Sequence, residues 1–485
     1  MTSRPPSIVW FREDLRLADN PALAAAVAAG GPVVCLFILE TGIDGVRPLG
    51  GASKWWLDKS LQALAGSLAK AGGRLVLRNG HPKAVLFDLI GETGASSVFW
   101  NRRYGEAEKN ADADIKSALK DAGVTAQSFN GRLLMEPWEL KTGSGGYYRV
   151  FTPFWRALQA AYAPPAALEA PKRIECAQIE NERLADWKLH PGAPDWSAGM
   201  SAAWTPGEAG AKARLLAFLD GPVNQYAEDR NRPDLDTSSS QLSPHLRFGE
   251  IGPAQIWRAV KAGVAAGRID ERPAHVFLSE IAWREFSHVL LSFNPQLAQK
   301  NYNPNFDRMP WRRDAAALTA WQRGETGYPV VDAGMRQLWQ TGWMHNRVRM
   351  IAASFLTKHL LLPWQAGEDW FWDTLVDADP AINAASWQWT AGSGADAAPY
   401  FRVFNPMTQG SKFDETGGYV RRWCPELAKM PDKFLHAPFE AQESVRSKAG
   451  VTLGLSYPEP IVEHSAARQR ALDAYKQTRE EQGAA

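Results

Sequence analysis

The sequence has few cysteines, almost no net charge and no long apolar run. Its three cysteines are far apart, at Cys35, Cys176 and Cys424. They provide neither a disulfide framework nor the four thiolates of an iron–sulfur cluster, so we expect a reducing, cytoplasmic environment and no metal cluster. No stretch approaches 18 uninterrupted apolar residues, and residues 1–6 contain no apolar signal segment. We therefore expect a soluble, unprocessed protein that does not enter a membrane.

Charge and length narrow the class of protein further. The chain carries 54 basic and 53 acidic residues, a formal net charge of +1. This balance argues against a partner that coats the whole protein with negative charge, but it leaves a local basic groove open. The 485 residues are too many for one ordinary core, so two domains are expected. Tryptophan is unusually frequent, with 21 residues.

The N-terminal part alternates short β-branched and aromatic runs with helix-like segments, which predicts an α/β, Rossmann-like parallel sheet over residues 1–130. The predicted strands are 7–12, 33–39, 74–78, 97–101 and 125–129, and the helices lie near 20–29, 53–71, 82–93 and 106–122. The segment after the first strand lacks the Gly-x-Gly-x-x-Gly pattern. The domain should therefore not bind a dinucleotide by the usual glycine-rich turn.

The rest of the chain reads as a connector and a larger all-helical domain. Residues 131–209 are rich in Pro, Ala, Gly and Trp with weak periodicity, and we expect a long surface connector with one helix near 147–162. Residues 210–485 show mainly helical patterns, ending in a charged, exposed helix after about residue 465.

The most informative stretch begins with a predicted helix over residues 343–361, closed by Pro363. On such a helix Asn346, Arg349 and Met350 share one face, whereas Arg347 points about 100° away. An amide, a guanidinium and a thioether are unusual on a core-facing stripe. They are plausible in a cavity wall.

Two carboxylates and two tryptophans follow. Asp377 and Asp379 are as readily solvated helix caps as ligands when considered alone. Trp387 and Trp389 are two residues apart, so on a helix one can face a pocket while the other enters the protein body. A buried aromatic filler is the default interpretation for either.

Two further segments allow both a structural and a functional interpretation. The hydroxyl-rich run at residues 237–243 can cap a helix or bind a phosphate. The predicted helix 278–292 places Glu280, Trp283 and Arg284 on one stripe. A surface Glu–Arg pair at this spacing is common and worth only tenths of a kcal/mol.

Taken together, these patterns resemble the photolyase/cryptochrome family. The motifs are Trp-Phe-Arg-x-Asp-Leu-Arg-x-x-Asp-Asn-Pro at 10–21, Trp-Met-His-Asn-Arg-x-Arg-Met at 343–350, Asp-x-Asp-x-x-x-Asn-x-x-x-Trp-x-Trp at 377–389 and Tyr-Phe-Arg-x-Phe-Asn-Pro at 400–406. The resemblance extends over nearly the whole chain. It implies an N-terminal domain that often holds an antenna pigment, followed by a helical domain that binds FAD.

The resemblance also implies which residues contact the cofactors. Those expected at FAD are Tyr226, Ser239, Ser240, Gln241, Leu242, Ser243, Arg284, Arg349, Asp377, Asp379 and Asn383. The resemblance also suggests that Asp377 pairs with Arg349. Gln241 stands where some members have Arg, which removes one ionic contact. Glu108 matches a glutamate that binds a methenyltetrahydrofolate antenna, although Ala107 replaces the asparagine often beside it. The alternative is that Glu108 is an exposed first-turn residue favoured by the helix dipole.

For the substrate, the resemblance implies a cyclobutane pyrimidine dimer in double-stranded or single-stranded DNA. Glu280 is expected to hydrogen-bond the dimer, Trp283 and Trp389 to pack on its bases, Met350 to line the pocket and Asn346 to bridge flavin and lesion. The residues expected at DNA phosphates are Arg230, Arg347, Arg402 and Lys412. Trp387, Trp364 and Trp311 match the tryptophan chain that photoreduces the flavin. The tryptophans expected mainly in the core are Trp339, Trp343, Trp370 and Trp372.

The implied activity is light-driven repair by a monomer, in which excited reduced FAD passes an electron to the dimer. Asn383 discriminates among the possibilities, because plant-type cryptochromes carry Asp at this position and animal ones Cys. A neutral amide favours a fully reduced, repair-competent flavin. The alternatives are a blue-light receptor without repair activity and a (6-4) photolyase. Residues 237–250 favour the bacterial class close to plant cryptochromes, class III, over class I.

Overall fold

The computed structural model describes residues 4–177, 179–397 and 401–483, with side chains to residue 479. The N-terminal part contains five strands and four helices. The strands are β1 (Ser7–Phe11), β2 (Val33–Glu40), β3 (Leu75–Gly80), β4 (Ser97–Asn101) and β5 (Thr125–Phe129). The helices are α1 (Pro21–Ala28), α2 (Gly51–Lys70), α3 (Pro82–Thr93) and α4 (Glu106–Asp121).

Helices dominate the remainder of the described chain. They are α5 (Phe151–Ala161), α6 (Ala198–Ala203), α7 (Glu208–Leu219), α8 (Tyr226–Asp229), α9 (Ser243–Arg247), α10 (Pro253–Ala265), α11 (Glu271–Phe293), α12 (Ala315–Arg323), α13 (Pro329–Thr341), α14 (Asn346–Ser354), α15 (Trp364–Thr374), α16 (Ile382–Ala391), α17 (Pro406–Phe413), α18 (Gly418–Trp423), α19 (Asp432–Leu435), α20 (Glu443–Ala449) and α21 (His464–Gly483). A π-helical segment spans Phe355–His359, and 3-10 turns span Leu184–Trp187, Pro222–Gln225, Pro304–Arg308, Pro425–Leu427 and Pro438–Glu440.

The five strands form one parallel sheet in the order β3-β2-β1-β4-β5, which confirms the predicted α/β fold. All of β1 and β4 is buried, as expected of central strands in a parallel sheet covered on both faces. Arg12, just beyond β1, is bound by both carboxylate oxygens of Asp112, at 2.6 and 2.9 Å, and donates to the carbonyl oxygen of Asn101. The end of β1, where a dinucleotide fold has its glycine turn, is therefore occupied by protein side chains.

The chain folds into two compact units, each with a hydrophobic core of its own. Unit 1 comprises Met1–Tyr148, Thr152–Val223 and Ser240–Pro295, and unit 2 comprises Arg149–Phe151, Asn224–Ser239 and Gln296–Ala485. The core of the sheet in unit 1 includes Ile8, Leu36 and Trp100. Unit 2 has a larger core that joins α12 to α16 with α18.

The predicted single helix over residues 343–361 is wrong at both ends. Gly342 closes α13 with a left-handed φ of +67°, and the next helix begins only at Asn346, because His345 caps it by accepting from the Arg347 N–H at 3.2 Å. After Ser354 the helix widens into the π segment, where the Leu360 N–H bonds to the Phe355 carbonyl at 3.0 Å.

The C-terminal helix α21 exists as predicted, but it is not exposed on all sides. Ala467, Ala471, Ala474 and Thr478 are buried along one stripe. Ala471 and Ala474 pack in one cluster with Phe306 and others, while charged residues occupy the solvent side. Small alanines hide an apolar stripe from a hydropathy pattern, which explains the wrong prediction.

The tryptophans assigned to the core are not all there. Trp372 is buried, but Trp339 is 63% exposed near the end of α13. Its ring stacks on that of Trp370, with centroids 6.0 Å apart and an interplanar angle of 5°. The prediction for Trp339 was therefore wrong.

Candidate functional site

Three arginines expected at DNA phosphates form one cluster in unit 2. Burial lowers the pKa of Arg347, and the nearby charges of Arg230 and Arg402 lower it further. Arg347 donates through Nε and Nη2 to Asn231 Oδ1, at 3.1 and 2.6 Å, which fixes the guanidinium. Such convergence of like charges is unfavourable alone and is suited to a polyanion.

Lys412 belongs to the same surface. Its Nζ lies 5.4 Å from the centre of the Phe413 ring, and the Arg347 guanidinium lies 4.4 Å from that ring. The sequence did not single out Asn231 or Phe413, which position these cations. Asn231 directly follows Arg230, and this was the one sequence feature that could have pointed to Asn231 as a neighbour of the DNA contacts.

The first turns of α14 carry the expected polar stripe. Asn346 is exposed, and Arg349 and Met350 are half-buried. Arg349 forms the bidentate pair with Asp377 that the sequence suggested, at 3.1 and 2.8 Å, and its Nε donates to the Met344 carbonyl at 2.7 Å. Both partners are thereby held rigidly, with hydrogen-bonding edges defined by the fork geometry.

Asp379 and Asn383 lie at the start of α16, and both side chains have defined hydrogen-bond partners. Asp379 Oδ1 accepts from the N–H groups of Ala381 and Ile382 at 2.9 and 3.1 Å, so it acts as a cap. The Asn383 amide nitrogen donates to Glu368 Oε1 at 2.7 Å and to the Glu368 carbonyl at 3.0 Å. This contact orients the amide of Asn383.

Glu368 is the main residue that sequence reasoning missed. It is 2% exposed on α15. The sequence feature that could have indicated its burial is the position of this carboxylate about one turn after Trp364, on a helix that also carries several aromatic residues. A buried charge of this kind needs partners, and Asn383 is one of them.

Three tryptophans expected to form an electron path pack in the core of unit 2. Trp387 is 2% exposed, Trp364 is fully buried and Trp311 is partly buried. Trp387 packs against the backbone of α15, where a Cβ added at Gly367 would overlap the indole. This contact places Trp387 one helical turn from Trp364. Trp387 and Trp364 are therefore enclosed in the core, whereas Trp311 is only partly buried.

Trp389 faces away from that core. It is half-buried, and its Nε1 donates to the Asp396 carbonyl at 3.0 Å. With Arg402, Phe404 and Lys358 it lines a cavity of about 30 Å³. Tyr400 of the family motif lies outside the described residues.

In unit 1, helix α11 carries two of the residues that are expected to contact the lesion. Glu280 and Trp283 are half-buried on the same side of the helix, and Trp283 contacts Phe286 edge-to-face at 5.8 Å. Arg284 is buried rather than on the surface, and it donates to Glu285 Oε1 and to the Arg132 carbonyl, both at 2.9 Å. Burial raises the pKa of Glu285 to about 7.

The hydroxyl-rich segment forms a turn suited to an anion. Gln241 has a left-handed φ of +50° and Leu242 a right-handed conformation, so successive backbone N–H groups converge. Ser240 is half-buried and Ser243 exposed in unit 1, whereas Ser239 and Tyr226 lie in unit 2. Arg214 donates to Gln241 Oε1 at 2.6 Å and brings a guanidinium to this turn.

Glu108, expected at an antenna pigment, lies in the first turn of α4. Its carboxylate folds back over Gly105, since a Cβ added there would clash with Glu108 Oε2. This is the arrangement of a residue stabilised by the helix N-terminus.

Two family models match the chain: one described as DNA photolyase over residues 7–172, and one described as the FAD binding domain of DNA photolyase over residues 277–477. A deoxyribodipyrimidine photo-lyase of Agrobacterium fabrum is 55% identical over 97% of both chains. The chain belongs to the DNA photolyase family. The structure of a class III photolyase from Agrobacterium tumefaciens matches 99% of both chains at 54% identity, with a TM-score of 0.96. Cryptochrome-1 of Arabidopsis thaliana is 39% identical over 97% of this chain and 70% of its own length.

Each unit offers groups of the kind that FAD needs. In unit 1 the turn at Gln241 offers hydroxyls and N–H groups for phosphate. In unit 2 the Arg349–Asp377 pair and the oriented amide of Asn383 offer defined donors and acceptors. No group of three or more His, Cys, Asp or Glu in the described ranges is arranged to hold a metal. None of the helices in those ranges is long and apolar enough to cross a bilayer.

Proposed function

We propose that this photolyase uses light to repair cyclobutane pyrimidine dimers in DNA, as a class III enzyme. One observation carries the assignment of the DNA site. Arg402 and Trp389 line the same cavity, while Arg402, Arg230 and Arg347 form one cationic cluster. Cations that can bind phosphates, next to a tryptophan ring that can stack on a base, are groups suited to an extruded nucleotide.

The cationic cluster binds the phosphates that flank the lesion. Because Arg347 is fixed by Asn231, it binds a phosphate with little further loss of side-chain freedom. Damaged bases pair and stack poorly, which lowers the cost of extruding them. Trp389 and Trp283 then pack on the bases, and Met350 lines the pocket.

When bound, reduced FAD would supply the light-excited electron and recover it once the dimer has split, so that no net oxidation or reduction occurs, while the protein supplies position and electrostatics. Glu280 hydrogen-bonds the carbonyl and imide edge of the dimer and stabilises the charge that develops there. Asn346 would bridge the cofactor and the lesion. The residues that would hold the cofactor are Arg349, Asp377, Asp379, Tyr226 and the segment Ser239–Ser243.

Trp387, Trp364 and Trp311 would form the path along which electrons reach bound FAD from the surface. Their burial supports this role, because two rings are enclosed and the third reaches the partly exposed layer. The neutral amide at Asn383 supports repair over signalling.

Repair of a thymine-dimer oligonucleotide under near-UV or blue light tests the proposal. Fully reduced holoprotein is expected to restore the thymines in the light and not in the dark, and to leave a (6-4) photoproduct unchanged. Failure to repair either lesion at full FAD occupancy would favour a blue-light receptor that binds without repair. Repair of the (6-4) product alone would identify the other photolyase activity.

The remaining expectations belong to the same proposal. We infer a monomer in the cytoplasm that needs no metal cluster, supported by the wide separation of the three cysteines. A methenyltetrahydrofolate antenna would extend light absorption, with Glu108 as one contact. Mass measurement and the absorption spectrum of the purified protein test these points.

A further inference from the structure

Lys358 is a buried lysine to which the repair mechanism above gives no role. It is 3% exposed in the π-helical segment, whose five residues are all buried. Single π turns often mark functional positions, because the widened turn redirects side chains. Here the widening accompanies a lysine that points into the protein. Burial lowers its pKa to about 7.

Its hydrogen bonds join two separate places in the chain. Nζ donates to the Thr390 carbonyl at 2.7 Å and to the Arg402 carbonyl at 3.0 Å. It also lies 4.3 Å from the centre of the Phe401 ring. Carbonyl dipoles and an aromatic face are the partners that make a desolvated ammonium tolerable.

Each of these carbonyls adjoins or belongs to a residue that the proposed function uses. Thr390 directly follows Trp389 near the end of α16 and precedes the loop of residues 391–397, and Arg402 is the exposed member of the cationic cluster. A tie from one side chain to the Thr390 and Arg402 carbonyls reduces the conformational states available to both places in the chain.

We propose that Lys358 is a positioning residue that holds Trp389 and Arg402 in place for the damaged nucleotide by bonding to the backbone carbonyls of Thr390 and Arg402. The assignment rests on the proposed function, because it takes Trp389 and Arg402 as DNA contacts. An ammonium suits this task since it has three donors and no acceptor. A methionine matches its length but bonds to neither carbonyl.

Two variants and one control test the proposal. Lys358→Met removes both bonds, Lys358→Gln reaches at most one carbonyl, and Lys429→Met changes an exposed lysine on another surface. In holoprotein, hydrogen exchange of amides 391–397 is expected to rise in Lys358→Met. The Kd for dimer-containing DNA should rise about 10- to 100-fold, because Trp389 and Arg402 are no longer held in place for the nucleotide. Lys358→Gln should fall between, and Lys429→Met should match wild type.

Two further readouts separate positioning from general damage. Light-driven reduction of FAD without DNA does not involve the loop and should stay within about twofold of wild type, since any larger change signals a different perturbation. Arg402→Ala should cost less affinity in the Lys358→Met background than in wild type, because a displaced arginine has less to lose.

Unchanged exchange of residues 391–397 in both Lys358 variants would overturn the proposal, even if wild type repairs dimers well. Strict additivity of Lys358→Met and Arg402→Ala would overturn it too. If wild type fails to repair dimers, the proposed function fails, and the exchange measurement still decides whether Lys358 holds the loop.

Discussion

Asn383→Asp places a second carboxylate against Glu368. In the wild-type protein the Asn383 amide nitrogen is 2.7 Å from Glu368 Oε1, and both side chains are buried. An aspartate has the same shape, but it replaces the donor with an acceptor. Two ionised carboxylates at this distance repel, so the pair should keep one proton at neutral pH.

The size of the effect follows from the geometry. Two unit charges 4 Å apart at an effective dielectric constant near 20 interact by about 4 kcal/mol, which corresponds to about three pKa units. One apparent pKa of the variant pair should therefore lie near neutrality, about three units above an ordinary carboxyl value. The proton makes position 383 a potential acid, which the wild-type amide is not.

The assay has two parts. Infrared difference spectra should show a protonated carboxyl in Asn383→Asp at pH 7, and illumination should leave FAD with an altered absorption spectrum. The stability of the variant should be lowest at high pH, because the pair must then ionise in the folded state. This loss should recover as pH falls toward the raised apparent pKa.

Asn383→Asp with Glu368→Gln is the matched control. Without the second carboxylate, the aspartate should ionise in the ordinary range and the pH dependence should disappear. The reasoning is refuted if Asn383→Asp shows an ordinary carboxyl titration, or if the double variant behaves like the single one.

Three other changes test separate parts of the protein. Arg347→Gln should weaken binding to damaged and undamaged DNA alike, and it should reduce the slope of log Kd against log salt concentration by about 0.9. Arg422→Gln is the control and should leave that slope unchanged. An unaltered slope in Arg347→Gln would argue against a phosphate contact. Trp364→Phe should lose most light-driven reduction of FAD but retain repair after chemical reduction, and normal photoreduction would contradict the tryptophan path. Burial lowers the pKa of His359 from 6.5 to about 3. The unfolded chain therefore binds more protons between these values, and wild type should lose stability as pH falls from 6.5, by up to about 1.4 kcal/mol per pH unit, relative to His359→Gln in thermal unfolding. Equal pH slopes would contradict this account.

Much of the fold could be predicted because the sequence patterns that indicate its strands and helices are local. The strands of the parallel sheet are short buried runs such as Ser97–Asn101, whose bounds the structure reproduces. The Arg349–Asp377 pair was also suggested correctly. In that case the family motif supplied the long-range information that periodicity lacks.

The errors arose where tertiary contacts overrule a local pattern. His345 reads as part of a helix, but its side chain caps the next one. Glu368 reads as a surface residue of an amphipathic helix until its contact with Asn383 is known. Lys358 is likewise charged and buried, and only the positions of Thr390 and Arg402 explain it.

The central claim is that light drives repair without net consumption of electrons. The most direct measurement counts dimers restored per FAD under continuous illumination, after one reduction and removal of the reductant without oxygen. The account predicts many dimers repaired for each FAD, with the flavin still reduced at the end. Repair that stops at one dimer per FAD, or never begins, would contradict it.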